Sequence, residues 1–220
     1  MGLKIIITGA TGMVGEGVLL ACLQNTTVEA VLSVSRKSTG RTHPKLTEYI
    51  VPDFLQLKPD DNRLKGYDAC FFCAGVSSVG MNEEKYSLIT YDTTIHFAKV
   101  LLQQNADIGF IYVSGKSTDG SEKGRIMWAR VKGKTENELM RMPFKKVFNF
   151  RPGVMKAMPG QQNLLKLYKF LGWSFPFLKL VFPNSTSTLQ QVANAMLNAV
   201  TKGYNKQVLE VKDINLLAAN

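Results

Sequence analysis

The chain holds few of the residues that build disulfide frameworks and dedicated metal centres: three cysteines and two histidines in 220 residues. Cys70 and Cys73 do form a CxxC in "DACFFCAG". That run is apolar and reads as a strand, which turns residues three apart to opposite faces, so the two thiols read as core and no metal site is expected. The lack of a disulfide framework suits a reducing, cytoplasmic location. Acids are outnumbered by bases, 17 to 27, for a net charge of +10. Such a surplus favours anionic partners. The charge is scattered, however, and the modules of nucleic-acid readers are missing, so no specific nucleic-acid binding is expected. The richest apolar stretch, "NLLKLYKFLGWSFPFLKLVFPN" (163–184), is broken by Pro176 and Pro183 and carries Lys166, Lys169 and Lys179. It does not read as a continuous membrane span. A lid or wall over a substrate cleft is the first reading of it; a homodimer contact or a peripheral membrane patch are the others. The opening "MGLKIIITGA" is a short apolar run entering a glycine turn and does not resemble a signal peptide.

What is present is an alternation. Hydrophobic residues at 45% and charged residues at 20% are ordinary for a globular chain. Short β-branched runs at 3–8, 29–35, 46–51, 68–74, 108–114, 146–151 and 207–211 read as strands. Longer amphipathic stretches near 13–25, 82–104, 124–142, 160–171, 188–202 and 213–218 read as helices. Several strands are apolar almost throughout, as strands covered on both faces should be. The expected fold is therefore α/β: a Rossmann-type doubly wound parallel sheet of about seven strands with helices on both faces. One domain over 1–220 is expected, with a small C-terminal substrate or lid region around 153–190.

In "IIITGATGMVGEGV", Gly9, Gly12 and Gly15 recur every three residues between the first strand and a helix. Gly9 lets the chain turn out of the strand, Gly12 leaves room for backbone to approach a diphosphate, and Gly15 lets the helix pack on the sheet. The helix N-terminus then offers amides and a positive dipole end to the phosphates. The second strand runs into Ser35, Arg36 and Lys37, with no acid to receive ribose hydroxyls. Charge-assisted contacts from Arg36 to a 2′-phosphate are the natural use of these residues, so NADP(H) is expected over NAD(H).

"TGATGMVG", the later "VSG", the helix carrying Lys132, and "FRPG" together resemble the short-chain dehydrogenase/reductase superfamily. They are closest to its atypical NAD(P)-binding, epimerase-like branch, which includes TIP30-like proteins. The resemblance implies that Thr8, Gly9, Thr11, Gly12, Met13 and Val14 form the nucleotide loop. It implies that Asp53 and Phe54 meet adenine, and that Ala74 and Gly75 let the cofactor lie close. Ser114 matches the active-site serine, Lys132 the lysine that holds the nicotinamide ribose, and Pro152 and Gly153 the turn beside the nicotinamide.

The departure is Trp128. The superfamily's catalytic motif is YxxxK, and this chain has WxxxK. The tyrosine exchanges a proton with the substrate oxygen, while the serine steadies that oxygen. An indole N–H can donate a hydrogen bond but cannot act as an acid near neutral pH. Tyr112 lies two positions deeper in the sheet than Ser114 and reads as core; Tyr86, Tyr91, Ser117 and Asp119 are further positions near the cleft. Two functions follow. One is an NADP(H)-dependent oxidoreductase or epimerase-like enzyme acting on a small carbonyl or hydroxyl substrate, with Ser114, Lys132 and Trp128 at its centre. The other is a catalytically reduced, cofactor-dependent sensor or regulatory protein.

Overall fold

The computed structural model describes residues 2–164, 175 and 180–219. Its sheet begins with β1 (Leu3–Thr8), β2 (Val28–Ser35) and β3 (Leu46–Ile50). It continues through β4 (Ala69–Phe72), β5 (Gly109–Val113) and β6 (Lys146–Arg151). A short pair, β7 (Val154–Lys156) and β8 (Thr186–Thr188), stands apart, and β9 (Val208–Glu210) closes the main sheet. The strand order is β3-β2-β1-β4-β5-β6-β9, and every pairing in it is parallel. The chain leaves β1 towards one edge and returns at β4 towards the other, so the crevice between β1 and β4 is the topological switch point where such sheets bind ligands.

Side-chain alternation distributes the core over the two faces. Ile5 and Ile7 pack with α1 (Met13–Gln24), α5 (Leu189–Lys202) and α6 (Val211–Ala218). Ile6 faces the opposite way, towards α3 (Thr93–Gln104) and α4 (Met127–Arg141). Cys70 belongs to that second cluster, whereas Cys73 packs against the first, so the two thiols do point to opposite faces.

The helix expected over 82–104 is interrupted. α2 (Glu83–Ser87) runs into a π-helical turn at Leu88–Asp92 before α3 begins. One residue more per turn shifts which side chains face the sheet, and such turns recur beside functional sites. β7 and β8 were not expected from the sequence, because strands of three residues carry no usable alternation. The expected helix at 160–171 and the apolar segment 163–184 lie largely outside the described residues. At the end of that segment Leu180, Val181 and Phe182 are exposed. Among the described residues no helix is long and apolar enough to cross a membrane.

A buried ion pair ties the start of α1 to distant chain. Glu16, 1% exposed, accepts hydrogen bonds from Arg41 Nη2 at 2.5 Å, Gln162 N at 2.9 Å and Asn163 N at 2.7 Å. Arg41 also donates to Gly160 O at 2.8 Å, and Gln161 Nε2 to Met13 O at 2.7 Å. Burial alone would raise the Glu16 carboxyl; the bonds from Gln162, Arg41 and Asn163 outweigh it and hold the group below its ordinary 4.5. A depressed carboxyl contributes stability that is present above its unfolded value and lost as pH falls through the folded one. Acid unfolding of the wild-type protein should therefore steepen below about pH 4.5. Glu16→Gln should flatten that limb, as urea titrations repeated from pH 6 downwards would measure; an unchanged limb would remove Glu16 from the account.

Candidate functional site

Where β1 ends, Gly9 adopts φ +71°, a left-handed conformation that favours glycine. A Cβ there would sit 2.6 Å from Ala74 N, so the turn after β1 presses directly on the turn after β4. Thr8 Oγ1 accepts from Ala74 N at 3.2 Å and fastens the same junction. Gly15 lies against the Gly9 carbonyl with no room for a Cβ, while a Cβ on Gly12 would meet nothing closer than Gly9 O at 3.4 Å. Gly12 is the N-cap of α1 and no side chain caps it. The amides of the first turn, from Met13, Val14 and Gly15, are thus left for a ligand.

Two cavities, of about 240 and 280 Å³, meet there. The first is lined by Gly9, Thr11, Gly12, Ser35, Arg36, Phe54, Cys73, Ala74 and Gly75. The second shares Arg36, Phe54, Ala74 and Gly75 with it and adds Asp53, the aromatic edge of Phe72 and the apolar Leu55, Val76, Leu88 and Ile89. Nine of the residues expected from the sequence to meet the cofactor therefore line one continuous groove. Leu88, Ile89 and Thr93 come from the π-helical turn or its junction with α3, which periodicity alone does not reveal. Asp53 accepts from Leu55 N at 2.9 Å and caps the short helical turn that carries Phe54. The donors, small residues and apolar wall of this groove fit a dinucleotide: amides at the diphosphate end, apolar surface at the base end.

Ser114, Lys132 and Trp128 form a second group, at the end of β5 and on α4. Ser114 is 4% exposed and its hydroxyl donates to Glu136 Oε1 at 2.5 Å. Glu136, fully buried, is also gripped by Arg151, Nε to Oε1 at 3.0 Å and Nη2 to Oε2 at 2.5 Å. Arg151 reaches Glu210 as well, at 3.0 Å. The Lys132 ammonium donates to the Ser114 carbonyl oxygen. Burial pushes Lys132 down to about 8, against the pull of the Glu136 carboxylate. Trp128 is half-buried one helical turn before Lys132, and its indole N–H has no partner among the described residues. Glu136 was missed in the sequence, although its place four residues after Lys132 puts it on the same helix face.

Other residues around the two groups take structural positions. Pro152 is buried and its carbonyl accepts from Lys116 N at 2.9 Å. Gly153 lies against the Ser185 carbonyl, and neither lines the dinucleotide groove. Lys116 Nζ donates to Ser185 Oγ at 2.7 Å. Tyr112 and Tyr86 are each 1% exposed, and burial raises both phenols. Tyr91 carries the Lys134 ammonium 4.3 Å over its ring. Asp119 gathers Ser121 N, Ser121 Oγ and Gly124 N and so organises its own loop. His96 Nε2 pairs with Leu57 O at 3.0 Å. Among the described residues no group of three or more His, Cys, Asp or Glu is arranged to hold a metal ion.

Residues 5–129 match the NAD dependent epimerase/dehydratase family, and the chain belongs to it. "Leucinostatins biosynthesis cluster protein T" of Purpureocillium lilacinum is 28% identical over 144 residues, 64% of this chain and 52% of that protein. The chain thus matches about half the length of that relative. "Protein fmp52, mitochondrial" of Aspergillus niger is 24% identical over 217 residues, 93% of this chain and 90% of that one. Among solved structures, the Bordetella bronchiseptica enzyme WbmF in complex with NAD+ superposes with TM-score 0.65 at 14% identity, covering 99% of this chain and 77% of that one. MoeE5 in complex with UDP-glucuronic acid and NAD gives 0.67 at 15%, covering 98% and 81%.

Two expectations are corrected. The preference for NADP(H) over NAD(H) is overturned, since both of these neighbours carry NAD. The physical reason lies in the loop after β2. Arg36 and Lys37 are exposed, the Ser35 hydroxyl donates to Lys37 O at 2.7 Å, and Glu48 from the neighbouring strand brings a carboxylate in behind them. That carboxylate accepts from Ser38 Oγ at 2.6 Å and from Thr39 N and Oγ1, each at 2.7 Å. Glu48, from β3, thus organises the loop that follows β2. The cytoplasmic expectation is overturned by relatives named as mitochondrial proteins in Aspergillus terreus, Aspergillus niger and Emericella nidulans.

Proposed function

We propose that this epimerase/dehydratase-family chain binds NAD(H) and catalyses an oxidoreductase or epimerase-like reaction on a small carbonyl or hydroxyl substrate. One observation carries the reading: the uncapped N-terminus of α1 opens onto the groove lined by Gly9, Thr11, Gly12, Ala74 and Gly75. When bound, the dinucleotide supplies hydride transfer at its nicotinamide. Gly9, Thr11, Gly12 and the first-turn amides of Met13, Val14 and Gly15 hold the diphosphate, above Thr8. Ser35, Arg36 and Lys37 border the adenosine ribose, and Asp53 and Phe54 face adenine. Lys132 reaches the nicotinamide ribose, Pro152 and Gly153 flank that end, and Ser114 and Trp128 frame the substrate side. The chain acts as a single Rossmann unit, with a small C-terminal substrate region around 153–190.

A second reading, a cofactor-binding sensor with reduced chemistry, is favoured by one feature: an indole at 128 where the superfamily motif has a phenol. Calorimetric titration of the purified chain with NADH and with NAD+ tests the shared premise. Saturable binding with a Kd on the order of micromolar is expected, about −8 kcal/mol. Absence of binding by either form would end both readings. Trp128→Tyr separates them. Turnover that appears only in that variant, over a panel of aldehydes and ketones, identifies the sensor; turnover already present in the wild-type chain identifies the enzyme.

A further inference from the structure

The site contains a hydride-transfer framework without an obvious acid. Trp128 cannot release a proton near neutral pH. The one hydroxyl proton of Ser114 is directed to the Glu136 carboxylate, in a buried, charge-assisted bond of 2.5 Å. Both Glu136 oxygens are held by Arg151, so this carboxylate is a fixed acceptor. Tyr112 and Tyr86 are closed inside the core, and Tyr91 lies under Lys134. Among the described residues, the Lys132 ammonium remains as a proton-bearing group on the Trp128 face of α4. One of its three N–H bonds goes to the Ser114 carbonyl at the end of β5, which leaves two free.

We propose that Lys132 is itself the acid of this site and delivers the proton to the substrate oxygen, with Glu136 as the positioning residue that fixes Ser114 and hence the lysine. The proposal rests on the NAD(H) reading above. In the reducing direction the carbonyl carbon accepts a hydride from the bound dihydronicotinamide while its oxygen takes a proton from Lys132 Nζ. The C=O π bond breaks, C–H and O–H bonds form, the dihydronicotinamide is oxidised to the pyridinium, and the neutral amine regains a proton from solvent. Burial places the lysine near 8, where an ammonium can give up a proton at working pH. The charged group acting on it is Glu136 on its own helix, whose carboxylate sustains the positive form against burial.

The test has a readout independent of turnover. Trace acetylation of the wild-type chain across pH 6 to 11, read by mass spectrometry, should show Lys132 titrating at about 8, well below the surface lysines. In parallel, NADH oxidation with phenanthrenequinone as the carbonyl probe should be level below that pH and decline above it. Lys132→Arg keeps the charge and the donors but cannot release a proton. It should bind NADH within a few-fold of wild type and lose roughly 10²–10⁴ in turnover. Lys132 titrating at its ordinary 10.5, full turnover in Lys132→Arg, or NADH uptake by wild type without reduction of the probe would each overturn the proposal alone. Failure to bind NADH at all would overturn the reading beneath it as well.

Discussion

Glu136→Ala should lower the stability of the folded chain by about 3–5 kcal/mol, because it removes one partner of a buried ion pair and leaves the other in place. Arg151, whose guanidinium makes two bonds to that carboxylate, would keep only Glu210, an exposed acid. Ser114 would lose its acceptor, except for the Phe150 carbonyl at 3.1 Å. For a chain of this size a fall of that order moves the thermal midpoint by roughly 6–20 °C. Glu136→Gln keeps the shape and an acceptor for Ser114, so it should lose less. Double substitution of Glu136 and Arg151 by Gln and Met should recover part of the loss, since it removes the stranded charge together with its partner. Differential scanning calorimetry of the three variants checks the order; equal midpoints for wild type and Glu136→Ala would show that this network holds nothing together.

The second large effect concerns the glycine turn, where neighbouring substitutions should fail in different ways. A side chain at Gly15 collides with the Gly9 carbonyl, so Gly15→Val must push α1 away from β1 and should cost both stability and dinucleotide binding. Gly12 has φ −106°, which any residue adopts, and a Cβ there would be in ordinary contact with Gly9 O at 3.4 Å. Gly12→Ala should therefore fold with a nearly unchanged melting temperature. Its methyl group would occupy space left for the diphosphate, and NADH affinity should fall by roughly a hundredfold, about 2.8 kcal/mol. Normal binding by folded Gly12→Ala would exclude this turn as the phosphate seat.

The strands were legible because strands buried on both faces are apolar throughout. β1 and β6 begin and end where the sequence indicated, at Leu3–Thr8 and Lys146–Arg151. The glycine spacing located the groove for the same reason: its demands are backbone demands, local to a few residues. What escaped were features assembled across the fold. The π-helical turn depends on how α3 meets the sheet. Glu48 holds the loop after β2 from a different strand, a contact that the residues at 35–37 do not announce. Glu136 read as one more helix acid until Ser114 and Arg151, 22 and 15 residues away, converged on it.

Glu16 gives the first turn of α1 a load unrelated to phosphate. Its carboxylate is shared by Arg41 and by the amides of Gln162 and Asn163, two stretches that also touch through the Arg41 bond to Gly160 O. A chimera that grafts the last third of a relative onto this chain would bring in a loop cut for some other anchor. Such a graft should take only if the acid and its arginine travel with it, so the natural seam for exchanging this part of the chain is not a single cut point but three matched patches.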